Sequence, residues 1–202
     1  MISRVYPIKH GGCAIICGAA PSLFEDLAEA RRLRPDAVIL GVKFAASVVP
    51  EIEHVWTQHC EMTKQIKDAA GRLIRVHARP RASQMNRKFT WHTPEGQEAF
   101  EAIDYFWPDL AWAKGSSGVA GAMWARHGMG FDEVIMAGIG LEPGNHKYVQ
   151  AYPNKYSQGQ GYATNAQIEH WLKLLQAHID DGKAQGVYSM SGKTMQMLRK
   201  PC

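Results

Sequence analysis

The sequence predicts an α/β domain: a mainly parallel sheet with helices on both faces and an irregular insertion at about residues 79–114. Two patterns predict it. Short, mainly apolar runs such as 13–17 and 133–137 suit strands buried on both faces. They alternate with stretches of helical period, as βαβ crossovers do. With 202 residues, 46% hydrophobic and 21% charged, the chain is expected to form one domain over 1–202.

The elements follow in order. Residues 13–17 form a strand ending in Gly18-Ala19-Ala20-Pro21-Ser22. A helix is expected over 23–33, with Ser22 and Glu25 as a capping box. Strands follow at 36–42, 54–57 and 73–77, with a helix at 61–70. The stretch 79–114 carries prolines at 80, 94 and 108 and reads as irregular, with a helix within 95–106 and a lid or acceptor-binding role. Residues 117–127 read as a Gly- and Ala-rich helix, 133–137 as a strand, and 144–161 as a polar loop. A helix at 165–181, a strand at 187–190 and a helix at 193–198 complete the chain.

No run approaches the roughly 20 apolar residues of a membrane span, and residues 1–10 lack a signal-peptide core, so a cytoplasmic protein is expected. The cysteines at 13, 17, 60 and 202 read as buried free thiols. The net charge of +4 is mild, but Arg72, Arg75, Arg79, Arg81, Arg87 and Lys88 form a basic segment without an acid from 69 to 94. It is either an anion-binding patch or a solvated loop. The aromatics Trp107, Trp112 and Trp171 mark either a homodimer contact or core packing.

In parallel sheets, ligands bind beyond the carboxyl ends of the strands. Two turns there suit phosphate. Gly18–Ser22 lets a backbone approach closely at the start of a helix, whose free amides favour an anion. Gly115-Ser116-Ser117-Gly118 opens the next such helix. The bland reading of both is an ordinary capped turn. There is no GxGxxG after the first strand and no GxSxG. Gly192-Lys193-Thr194 resembles a P-loop end, but its upstream glycine is misplaced. His54, His59, Cys60 and Glu61 lack zinc-site spacing, and no metal is assigned. Among the histidines, His146 is best placed for general base work.

The run from Ile15 through Gly18, Pro21 and Ser22 to Leu23 resembles the Gly-x-Gly-Pro-Ser-Leu turn of bacterial CMP-sialic acid-dependent sialyltransferases. It is also similar to the related hydroxymethylpterin pyrophosphokinase-like family. Ser116-Ser117-Gly118, and Gly130-Phe131 through Gly138-Ile139, resemble their Thr-Ser-Gly and Gly-Ile-Asp motifs, and 161–165 and 187–191 echo their last elements. The likeness covers about two thirds of the chain and leaves out 79–114.

The resemblance implies a Rossmann-like fold and metal-independent sugar transfer from a nucleotide sugar, which serves as substrate, with no separate cofactor. By position, Gly18, Ala19, Pro21, Ser22, Lys43, Ser116, Ser117, Gly118, Gly138 and Gly140 would line the nucleotide. The family's Asp is Gly140 here, and its catalytic His falls at Tyr162. The expected catalytic residues are therefore His146 and Tyr162, or the chemistry has changed. Arg79, Arg81, Arg87 and Lys88 would hold an anionic acceptor, a glycan or DNA with a modified base. The alternatives are a pyrophosphokinase-type enzyme using ATP and Mg²⁺, and a non-catalytic nucleotide-binding module.

Overall fold

A computed structural model describes residues 6, 8–79, 93–107, 115–142 and 164–202. Seven strands make one parallel sheet: β1 (Cys13–Cys17), β2 (Val38–Val42), β3 (His54–Thr57), β4 (Arg75–Ala78), β5 (Tyr105–Phe106), β6 (Glu133–Ala137) and β7 (Val187–Ser189). Their order is β5-β4-β3-β2-β1-β6-β7. The chain steps outward from β1 to β5, then returns to place β6 on the other side of β1. Parallel sheets bind ligands where strand order reverses in this way, which here falls beyond the carboxyl ends of β1 and β6.

The six helices among the described residues are α1 (Leu23–Leu33), α2 (Thr63–Ala70), α3 (Pro94–Glu101), α4 (Ser117–Met123), α5 (Asn165–Asp180) and α6 (Gly192–Leu198). A π-helical stretch, Trp124–Met129, continues α4. Alternation along the strands divides the core. Ala14 and Ile16 face Val119, Met123, Trp124 and Leu175 from α4, its continuation and α5. Ile15 and Cys17 face Leu23, Leu27 and Ala30 of α1 and Ile66 of α2. The Rossmann-like expectation, with helices on both faces, therefore holds.

Within the expected insertion at 79–114, residues 79 and 93–107 are described. The helix ends at Glu101, and Tyr105–Phe106 joins the sheet as an edge strand beside β4. Asp104 makes the junction: its carboxylate accepts the Val76 amide at 2.7 Å and pairs with Lys67 at 2.8 Å. The capping box at α1 is also absent. Ser22 has helical backbone angles, so its hydroxyl turns to Asp26 instead of a first-turn amide. Thr164 and Gln167 form such a box at α5.

All four cysteines are free; Cys17 and Cys60 are buried, Cys13 half-buried and Cys202 exposed. Burial pushes the thiols of Cys13, Cys17 and Cys60 up to about 12, which makes them poor nucleophiles. Among the described residues no helix is long and apolar enough to cross a membrane.

Candidate nucleotide site at the carboxyl edge of the sheet

The turns after β1 and β6 are stitched together. Gly18 N–H donates to the Ala137 carbonyl at 2.8 Å, and Ala20 N–H donates to the Gly138 carbonyl at 3.0 Å. Gly138 has φ +65°, a left-handed conformation suited to glycine, and its Cα side abuts Leu23. The start of α4 meets the same place: a methyl on Gly118 would lie 2.5 Å from Ile139 Cγ2. A methyl on Gly18 would strike the Gly138 carbonyl and approach Ile139 Cγ1 to 2.6 Å. Gly18, Gly118 and Gly138 thus converge, as the sequence suggested. The reason differs in part: the missing side chains at 18 and 118 make room for Ile139.

The hydroxyls of Ser22 and Ser116 are engaged locally. Ser116 is buried and caps α4, accepting the Val119 amide at 3.2 Å. Ser22 Oγ lies 3.0 Å from Asp26 Oδ2 and 3.0 Å from Ser191 Oγ. Asp26 is the residue that sequence reasoning missed. Its Oδ2 also accepts the Ser191 hydroxyl at 2.6 Å and the Gly138 amide at 2.9 Å. One buried carboxylate therefore ties the turns after β1, β6 and β7. The signal was available: Leu23, Asp26, Leu27 and Ala30 form the buried stripe of α1, and an acid on such a stripe needs partners.

The third turn is close-packed too. Gly192 has φ +68°, and a methyl there would lie 2.5 Å from Gly140 Cα. The Gly140 carbonyl faces the Thr194 amide at 3.4 Å. A side chain at 140, where the resembled family has its Asp, would start 3.3 Å from Gly192 Cα and 3.7 Å from Glu142 Oε2.

Of the remaining expected residues, Ala19 is half-buried, Pro21 exposed, and Ser117 half-buried as the first residue of α4. Lys43 follows β2 with φ +51°, unusual for a side-chain-bearing residue. Arg79 follows β4, and its amide donates to the Thr57 carbonyl at 3.2 Å. His146, Tyr162, Arg81, Arg87 and Lys88 lie outside the described residues. The described part of the basic segment is not one patch. Arg75 and Arg79 sit at opposite ends of β4, about 13 Å apart at the rise of a strand. Arg72 donates to the Val49 carbonyl at 3.1 Å.

The turn after β3 adds a second feature that the sequence reading set aside. His59 Nδ1 lies 2.9 Å from Glu61 Oε1. Burial opposes ionisation of Glu61, yet hydrogen bonds from His59 and the backbone, with the charges of His59 and Lys43, hold its carboxyl below the ordinary value. The spacing of two residues is not diagnostic in sequence; the contact comes from the loop's path.

A separate cluster of rings lies toward the amino ends of the strands. Trp107 Nε1–H donates to His77 Nδ1 at 3.2 Å, and His77 Nε2 is 2.8 Å from His54 Nδ1. An indole N–H can only donate, so His77 is neutral, carries its proton on Nε2 and gives it to His54. Burial pushes the His77 pKa well down, and His54 is lowered by the same cause. Tyr6 packs edge-on to both rings and bonds His10 at 2.7 Å. Trp107, one of the aromatics weighed as a dimer contact, is core packing here.

No protein-family model, curated protein or solved structure matches the chain. Among the described residues no group of three or more His, Cys, Asp or Glu side chains is arranged to hold a metal ion.

Proposed function

We propose that the chain binds nucleotide phosphates in the crevice between β1 and β6. We further propose that it acts as a glycosyltransferase-like enzyme, moving a sugar from a nucleotide-sugar donor to an anionic acceptor without a metal. One observation carries the reading: three strand-end turns and the start of α4 meet at the point where strand order reverses. Ser117 and Gly118 are the first residues of α4, so their amides have no partner within the helix. No acid occupies that first turn. Amides fixed in this way stabilise charge that builds on a leaving phosphate, at no cost in reorganisation. The proton-accepting role falls to His146 or Tyr162 in this reading, and the acceptor is a glycan or DNA with a modified base.

Calorimetry with CMP, UDP, GDP and ATP, with and without Mg²⁺, tests the binding step. Metal-independent binding of a pyrimidine or guanine nucleotide supports the reading. Binding of ATP only with Mg²⁺ supports pyrophosphate transfer instead, and no binding of any nucleotide refutes the site. Ser117→Ala should weaken the bound nucleotide roughly three- to tenfold, about one hydrogen bond's net worth. Release of free nucleotide from the matching sugar donor tests transfer. A DNA acceptor predicts affinity that falls steeply as salt rises; a flat salt response rules DNA out.

A second reading is a nucleotide-binding module without catalysis, because Gly140 brings no carboxylate to the position where the resembled family has its Asp. Nucleotide binding without turnover of any donor selects it.

A further inference from the structure

The turn after β1 reads in sequence as a phosphate loop, but its polar groups are set to accept hydrogen bonds. Asp26 Oδ2 takes three donors: the Ser22 hydroxyl at 3.0 Å, the Ser191 hydroxyl at 2.6 Å and the Gly138 amide at 2.9 Å. A serine hydroxyl has one proton to give. Ser191 gives its proton to Asp26; Ser22 gives its own to Asp26 or to Ser191 Oγ, 3.0 Å away. Both protons are spent within the trio, so these half-buried serines offer a ligand lone pairs. The amides of Gly18 and Ala20 are spent as well, on the carbonyls of Ala137 and Gly138. Asp26 itself is only half satisfied. It is 7% exposed, and every hydrogen bond it makes runs to Oδ2. Oδ1 is not among the side-chain atoms sealed from solvent without a partner, so it opens outward. It shares a carbon with the oxygen that holds the turns after β6 and β7, and so opens at their edge of the sheet. A carboxylate oxygen in this setting favours a ligand that donates to it.

We propose that Asp26, Ser22 and Ser191 bind hydroxyl groups of the sugar that the nucleotide carries, and that this sugar is an uncharged one. The proposal rests on the nucleotide-sugar reading above and names its substrate class. The start of α4 abuts Ile139, the residue after Gly138. A phosphate on the amides of Ser117 and Gly118 therefore has its attached sugar within one residue and one side chain of Asp26. A sugar hydroxyl donates to Oδ1 and to the serine oxygens. An acidic sugar would set its carboxylate against Asp26, where it meets like charge and no spare donor. Two exposed acids add to that charge: Glu25 in the first turn of α1, and Glu142, whose Oε2 would lie 3.7 Å from a methyl on Gly140. Lys193, two residues beyond Ser191, makes no ion pair with Asp26. The site selects by repulsion as well as by attraction. Sialic acid, the donor sugar of the family that the β1 turn resembles, is rejected on this ground.

The test is calorimetry on the full chain with donors that differ only in a carboxylate: UDP-glucose against UDP-glucuronic acid, and GDP-mannose against GDP-mannuronic acid. UDP, GDP, CMP and CMP-sialic acid complete the set. In the series whose bare nucleotide binds, the uncharged sugar should bind at least about fivefold more tightly than its acidic partner, the scale of one hydrogen bond to a charged group. Asp26→Asn should reverse the preference. Its amide oxygen takes the place of Oδ2, where three donors converge, and its NH₂ takes the place of Oδ1. The outward group then donates, and the ratio should move at least fivefold toward the acidic sugar. Urea melts show whether that variant is folded. If it is not, Ser22→Ala decides, and it should weaken UDP-glucose or GDP-mannose about threefold with the bare nucleotide unchanged. A wild-type ratio below about fivefold overturns the proposal alone, as does CMP-sialic acid binding more tightly than CMP. A folded Asp26→Asn that keeps the wild-type ratio overturns it too, because the preference then arises elsewhere. A wild-type protein that binds no bare nucleotide overturns the nucleotide reading and this proposal with it.

Discussion

Ile139 is the side chain against which both crevice turns close, so its coupling to Gly118 can be worked from the structure. In Gly118→Ala the new methyl sits 2.5 Å from Ile139 Cγ2. Overpacking of this kind costs about 1–3 kcal/mol, and the helix propensity of alanine returns up to about 1 kcal/mol. Ile139 is 6% exposed, so Ile139→Ala alone should cost about 2–5 kcal/mol. In the double variant Cγ2 is gone and the methyl at 118 fills part of the space. The pair should therefore be more stable than additivity predicts, by about 1–3 kcal/mol. Gly18→Ala is the control. Its methyl strikes the Gly138 carbonyl, which is held by the Ala20 amide at 3.0 Å and cannot withdraw. Ile139→Ala should leave most of that cost in place. Urea melts of the three single and two double variants give the coupling directly. A Gly118–Ile139 coupling below about 0.5 kcal/mol is ordinary additivity and refutes the contact as the reason for glycine at 118.

Two further outcomes concern polar groups. Asp26→Ala removes the acceptor for Ser22, Ser191 and the buried Gly138 amide. The expected loss is about 3 kcal/mol in urea melts, because a buried donor is left unpaired; a loss under about 1 kcal/mol contradicts the clamp. The histidine cluster sets an acid limit. His77 and His54 have folded pKa values below the unfolded value of 6.5. The unfolded chain binds more protons in that window, so the pair's stability is whole above pH 6.5 and is lost as pH falls below it. Each histidine contributes a slope of up to about 1.4 kcal/mol per pH unit. His54→Asn should reduce the slope between pH 6.5 and 5, and an unchanged slope contradicts the assignment.

The sheet's central strands were legible because burial on both faces leaves a nearly continuous apolar run. β1 and β6 occur at the expected residues 13–17 and 133–137. β5 was not legible. Two residues carry no period, and it is the Asp104–Val76 bond and pairing with β4 that make Tyr105–Phe106 a strand. The convergence of Gly18, Gly118 and Gly138 followed from the rule that strand ends share an edge. What occupies the convergence did not: nothing local marks Ile139 as their common neighbour. Ser22 read as a helix cap because Ser-x-x-Glu usually is one. A tertiary partner on the buried stripe, Asp26, outcompeted the first-turn amide.

That same Asp26 decides where an anion can sit. The first turn of α1 carries Glu25 and Asp26, so the positive end of its dipole already faces two carboxylates. The first turn of α4 carries none. A phosphate entering the crevice therefore gains more at Ser117 and Gly118 than at the turn after β1, although the latter has the more suggestive sequence. Ser117→Asp separates the two ends. An acid at the start of α4 complements the dipole and should stabilise the fold by about 0.3–1 kcal/mol. The same charge would occupy the anion's place, and nucleotide affinity should fall at least tenfold. Higher stability with weaker binding follows only if the phosphate sits on α4. Higher stability with unchanged affinity would move the phosphate elsewhere and remove the electrostatic basis for transfer at this edge.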